Sequence, residues 1–125
     1  MANKVPKRYL DDIYKRANYS CEICGTTTNI TKPHHIVKRR HRNHRPDNQI
    51  SVCIKCHGGL EQEREDKAVD YQLKLALQEY YLKYYEENKV KQLMGGRFFI
   101  GELNNPIAIN HYKKIDKLYK GKDFQ

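Results

Sequence analysis

Two cysteine pairs of identical spacing constrain this chain more than any other feature. Cys21-Glu22-Ile23-Cys24 opens a central stretch and Cys53-Ile54-Lys55-Cys56 closes it, and no cysteine lies outside these pairs. A two-residue gap lets both sulfurs of a pair approach one ion, and two such pairs supply four thiolates for a closed, tetrahedral zinc site. Tying Cys21, Cys24, Cys53 and Cys56 to one structural Zn²⁺ closes a loop of about thirty residues and pins both its ends. A chain of 125 residues with 38 % apolar content buries a modest core, so such a staple contributes much of its order. Disulfides are the other use of paired cysteines. Residues 1–8 are polar with no apolar run behind them, and no run approaches the length of a membrane span. The expected setting is a reducing cytoplasm, with metal-bound thiolates and no membrane partner.

Charge points to the partner. Lysine and arginine total 24 against 15 acidic residues, a formal charge of +9. The excess is clustered: from Lys38 the chain reads Lys-Arg-Arg-His-Arg-Asn-His-Arg, with no acidic residue among them. A basic run of this kind fits a nucleic-acid backbone. Lys38, Arg39, Arg40, Arg42 and Arg45 are the expected phosphate contacts, giving affinity without sequence reading.

The expected fold class is α+β. Leu10, Ile13, Tyr14 and Ala17 recur at helical spacing, which predicts a first helix over 5–18 with Pro6 in its first turn and Lys7, Arg8, Lys15 and Arg16 facing solvent. Gly25 permits the tight turn after the first cysteine pair. A short strand over 34–38 alternates its sides, so His34 and His35 point to opposite faces. Pro46-Asp47-Asn48 is turn chemistry, a second strand follows over 50–52, and a helix runs from 53 to 65. Its Gly58-Gly59 marks a close approach or a bend. A long helix is predicted over 66–94, with Asp66 as cap and Gly95-Gly96 as stop, its tyrosine stripe packed in the core rather than stacked on bases. Residues 97–100 read as strand or extended chain. Asn105 caps a last helix that starts at Pro106, buries Ala108, Tyr112, Ile115 and Leu118 or Tyr119, and stops at Gly121. Residues 1–65 form the zinc-stapled core with its leading helix, and 66–125 a helical extension of the same compact unit.

Three histidines flank the cysteine site. His34 and His35 lie on the first strand, and His57 directly follows the ligand Cys56. Two of them on one ion leave positions for water and phosphate oxygens, as a hydrolytic metal centre requires. A third, with a side-chain pKa near neutrality, can take a proton from water. His41 and His44 have no evident place in such a centre and are expected at phosphates or in solvent, with help to the metal as the alternative.

Taken together, C-x2-C, then His34-His35-Ile36, then Asn48, then Cys53-x2-Cys56-His57 resembles the HNH endonuclease family over residues 20–65. The resemblance implies a ββα-metal core, two antiparallel strands and a helix around one catalytic divalent ion, beside an additional four-cysteine zinc site. It implies His35 as general base, Asn48 as the residue pinning the loop between the strands, and His34 and His57 as ligands of the catalytic metal. His34 stands where many members have aspartate, a departure that favours Mn²⁺, Co²⁺, Ni²⁺ or Zn²⁺ over Mg²⁺. The implied activity is DNA phosphodiester hydrolysis, one nick per site, with a homodimer or a phage or bacterial partner protein for double-strand cleavage. The competing reading is a zinc-stabilised DNA-binding module without catalysis.

Overall fold

A computed structural model of the protein describes residues 4–61 and 65–124. Among these lie five helices and one two-stranded antiparallel sheet, a small α+β fold. No helix among them is long and apolar enough to cross a membrane.

Helix α1 spans Lys7–Arg16, with Pro6 just before it at the cap. Ile13 is fully buried and Ala17 nearly so, as their spacing predicts. The helix ends where Asn18 and Tyr19 both take positive φ, 53° and 56°, which turns the chain sharply into the first cysteine pair. Arg16 corrects the expectation of a solvated basic face. Its guanidinium is buried and forms a two-point ion pair with Glu22, at 3.1 and 3.0 Å. It also donates to the carbonyls of Pro46 and Gln49 and to the Tyr119 hydroxyl.

The sheet is shorter than predicted. Strand β1 is His34–His35 and β2 is Gln49–Ile50, paired His34 to Ile50 and His35 to Gln49. Beyond them an isolated bridge joins Ile30 to Cys53. The connection folds as two 3₁₀ turns, Arg39–His41 and Pro46–Asn48. Helix α2 covers Ile54–Glu61, and residues 62–64, the end of the predicted helix, lie outside the described ones. A Cβ at Gly58 would meet nothing within 4 Å, so close packing is not what places glycine there.

The predicted helix over 66–94 is two helices. α3 is Glu65–Tyr84 and α4 is Glu87–Leu93. The break lies at Glu86, whose carboxylate accepts from the backbone N–H groups of Asn88 and Lys89 and so caps a new helix. Asp66, the expected cap, lies inside α3, which already runs at Glu65, so it does not cap the helix. The tyrosine stripe is core, as expected: Tyr80 and Tyr81 are buried against Leu73, Leu77, Tyr112 and Ile115, while Tyr84 is more exposed.

Residues 97–100 form no strand. Their backbone bonds to α3 side chains instead: Gln78 Oε1 accepts from Phe99 N–H, and its Nε2 donates to Phe99 carbonyl. Helix α5, Pro106–Tyr119, starts as predicted, with Asn105 Oδ1 accepting from Ile107 and Ala108 N–H. Ala108, Tyr112 and Ile115 are buried. Tyr119 completes the stripe, and Leu118 is exposed. Gly121, at φ 75°, ends the turn where a Cβ would fall 2.2 Å from Tyr84 Cγ, so glycine is obligatory.

Candidate metal centre and histidine pocket

The first cysteine pair sits on a tight loop after α1. Cys21 N–H donates to the Thr26 carbonyl, Gly25 N–H to the Cys21 carbonyl, and Gly25 takes φ 81°. The second pair opens α2. The Ile30–Cys53 bridge and the bond from Ile54 N–H to Asn29 carbonyl bring the two loops together. All four sulfurs then lie within 4.8 Å of one another. Cys24 and Cys53 are 3.8 Å apart. Four sulfurs at about 2.3 Å from one tetrahedral ion stand about 3.8 Å from each other, so the cluster can hold a metal such as zinc. Four sulfurs leave no open position, which makes such an ion structural rather than catalytic.

The sulfur environment suits thiolates unequally. Burial pushes the Cys21 thiol up, but the backbone N–H groups of Cys24, Cys53 and Ile23 outweigh it and bring the pKa down to about 7. Burial and the neighbouring sulfurs push Cys56 the other way. Deprotonating all four together needs a cation among them.

Glu22, inside the first pair, anchors the cluster to the rest of the fold. Besides Arg16 it accepts from Ser51 N–H at 2.8 Å and from Lys114 Nζ at 2.5 Å. Burial alone would raise its carboxyl, but Arg16 prevails and holds the pKa down to about 2. The sign follows: a depressed folded-state pKa contributes stability above the ordinary value of 4.5, and that stability is lost as pH falls toward 2. Acid unfolding of the wild type and of Glu22→Gln checks it. The variant is expected to start less stable at pH 7 and to lose less between pH 4.5 and 2. Release of metal from the thiolates is common to both chains, so the difference isolates Glu22.

Beside the cluster, β1 and α2 bring three histidines to one open pocket, and His34 and His35, expected on opposite faces, both line it. His34, His35 and His57 line it with Pro33, Lys38 and Arg39, around a volume of about 240 Å³. The rings of His34 and His57 face each other edge to face, 5.5 Å between centroids. His34 Nε2 lies 3.0 Å from Asp70 Oδ1, and Lys74 Nζ donates to Asp70 Oδ2 at 2.5 Å. His35 Nε2 lies 3.0 Å from His44 Nδ1. Burial, with His44, Arg39 and His34 nearby, depresses the His35 pKa to about 4, so its imidazole is neutral at pH 7. His44 is therefore a buried partner of His35, not the exposed or phosphate-facing residue expected. His41 is exposed and its ring packs over Gly95.

Asn48 is fully buried and ties the inter-strand loop to itself. Its Oδ1 accepts from Val37 N–H at 2.8 Å, and its Nδ2 donates to the carbonyls of Val37 and Asn43 at 3.1 and 2.7 Å. Lys38, Arg39, Arg40 and Arg42 are exposed on that loop. Arg45 leaves the set. It is 7 % exposed, paired with the wholly buried Asp47, bonded to Tyr85 hydroxyl and Lys122 carbonyl, and stacked near the rings of Tyr81, Tyr85 and Phe124. A guanidinium so engaged is a structural cross-link, not a phosphate contact.

Sequence reasoning passed over Glu22, Asp70 and His44. One signal was available for Asp70: it continues the buried stripe of Leu73, Leu77 and Tyr81, and a carboxylate on an apolar stripe implies a buried partner. No family model, no curated protein and no solved structure matches this chain.

Proposed function

We propose that this chain is a metal-dependent endonuclease of the HNH type that hydrolyses DNA phosphodiester bonds, one strand per site. One observation carries the reading: a strand histidine and a helix histidine, His34 and His57, face each other across a pocket that also holds His35 and two cations. Cys21, Cys24, Cys53 and Cys56 take a structural zinc, which fixes the start of α2 and with it His57. His34 and His57 are the residues for a catalytic divalent ion, and two neutral nitrogens suit Mn²⁺, Co²⁺, Ni²⁺ or Zn²⁺ better than Mg²⁺. Such an ion, when bound, stabilises charge on the phosphate and the leaving oxygen.

The chain's own groups do the rest. His35, neutral and held by His44, accepts a proton from the attacking water. Asn48 keeps the loop between the strands in one conformation, so Lys38 and Arg39 stay at the pocket, with Arg40 and Arg42 exposed farther along the same loop. These four bind phosphates without reading bases. One site nicks one strand. Cutting both takes a second copy or a second binding event.

A binding module without catalysis is the second reading, favoured by the hydrogen bonds that occupy His34 and His35, since buried histidines so engaged also serve structure alone. Nicking of supercoiled plasmid separates the two. Zinc-loaded protein, freed of other ions, is given Mg²⁺, Mn²⁺, Co²⁺, Ni²⁺ and Zn²⁺ in turn. Nicking with at least one ion, best with the transition ions, is expected. Tight binding with no nicking under any ion would favour the module.

The basic loop has its own test. Arg39→Ala with Arg40→Ala is expected to weaken DNA binding across sequences and to reduce the salt slope of log affinity by about 2, with the melting temperature unchanged. Arg45→Ala should do the reverse. Stranding buried Asp47 costs about 3–5 kcal/mol of stability and leaves the salt slope in place. A steep loss of salt dependence in Arg45→Ala at temperatures where it is folded would return Arg45 to the interface.

A further inference from the structure

We infer that Asp70, on α3 and outside the histidine-bearing stretch, is a positioning residue that decides which ring nitrogen His34 presents to a divalent ion. The inference rests on the metal-binding role proposed for His34 and His57.

A carboxylate accepts hydrogen bonds and donates none when ionised. Asp70 Oδ1 at 3.0 Å from His34 Nε2 therefore makes Nε2 the protonated, donating nitrogen. An imidazole that ligates an ion is neutral and carries one N–H, so with Nε2–H given to Asp70 the lone pair that His34 would offer an ion is on Nδ1. Lys74, one turn along α3, holds the second oxygen of Asp70 and keeps the carboxylate ionised and turned in one direction. Both residues are deeply buried: His34 is 3 % exposed and Asp70 5 %. Asp70 is not a third ligand. Among the described residues, only the cysteines bring three or more ligand atoms within 4.8 Å of one another, so His34, His57 and Asp70 do not. The carboxylate thus acts through the histidine: it selects the tautomer, orients the ring and raises the basicity of the ligating nitrogen before an ion arrives.

The experiment reads tautomer and affinity separately. Nitrogen-15 histidine spectra of the zinc-loaded chain report the His34 tautomer, and calorimetry with Ni²⁺ reports affinity at the second site. In the wild type, Nε2–H is expected. Asp70→Asn keeps the shape and an accepting oxygen, and should weaken Ni²⁺ by about 10-fold; Asp70→Ala should weaken it by up to about 100-fold and mix the tautomers. Zinc content and melting should be preserved in Asp70→Asn, which stands if the alanine variant fails to fold. Wild-type Ni²⁺ affinity with an unchanged tautomer in both variants overturns the inference and leaves the nuclease reading intact. No Ni²⁺ binding by the wild type overturns the two-histidine site itself, and the inference with it.

Discussion

Cys53→Ser is expected to release the metal from the four-sulfur cluster and unfold the chain at 25 °C. Structural zinc in small domains contributes about 10–16 kcal/mol of apparent folding free energy, against a total stability of about 5–15 kcal/mol for an ordinary domain. Losing one of four thiolates therefore puts at risk an amount comparable to the whole stability of such a fold. Cys53 stands where the two cysteine loops meet. It is nearly buried, its sulfur is 3.8 Å from Cys24, its backbone bridges to Ile30, and its carbonyl accepts from His57 N–H. The same substitution thus frees the start of α2 and the histidine on it. Metal content by mass spectrometry and a thermal melt by circular dichroism check the expectation. A chelator strong enough to strip zinc from the wild type should reproduce the effect. A serine variant that keeps both its metal and its melting temperature would exclude the four-thiolate site.

His35→Ala is expected to lower nicking by about 10²–10⁴-fold with DNA affinity and zinc content near wild type. The separation arises from position. His35 lines the pocket with His34 and His57, yet its own ring is held by His44 rather than by a sulfur or a basic residue of the loop. Removing it takes away the proton acceptor and leaves the thiolate cluster, Asn48 and the exposed arginines where they are. His57→Ala should fail differently, losing the second ion while the four sulfurs keep theirs. Nicking by His35→Ala within a few-fold of wild type would remove His35 as the base and direct attention to His44. Lost DNA binding in His35→Ala would mean that the ring supports the loop rather than the chemistry.

What was legible in the sequence was local. The cysteine spacing predicted a metal cluster because two sulfurs two residues apart have few other joint uses, and the four sulfurs do converge. Asn105 and Pro106 predicted the start of α5, because capping depends on neighbours three residues away at most. The apolar stripes of α1, α3 and α5 predicted their buried faces. The long helix was misjudged at two points: Asp66 lies inside α3 rather than capping it, and the helix breaks before Glu87. Periodicity runs on through residue 85, but Glu86 can cap as readily as it can continue a helix, and the tertiary bonds of Tyr85 to Gly121 and Arg45 favour the break.

The site was legible as a set of residue types and not as a set of partners. Five cations in one loop read alike, yet Arg45 is an internal cross-link because Asp47 is turned inward beneath it. Arg16 and Glu22 look like ordinary surface charges, and they meet only because two left-handed residues turn the chain back on α1. His34 could be placed on a strand from sequence, but its partner is a helix residue 36 positions away. By itself, then, the sequence determined the pairing of thiols able to hold a metal, the start of α5 and the clustering of charge, because each follows from neighbours along the chain. Tertiary structure alone decided which charges are buried in pairs, which histidines share a pocket and which carboxylate holds His34. Those depend on desolvation and on distances between segments far apart in sequence, and neither is written in local spacing.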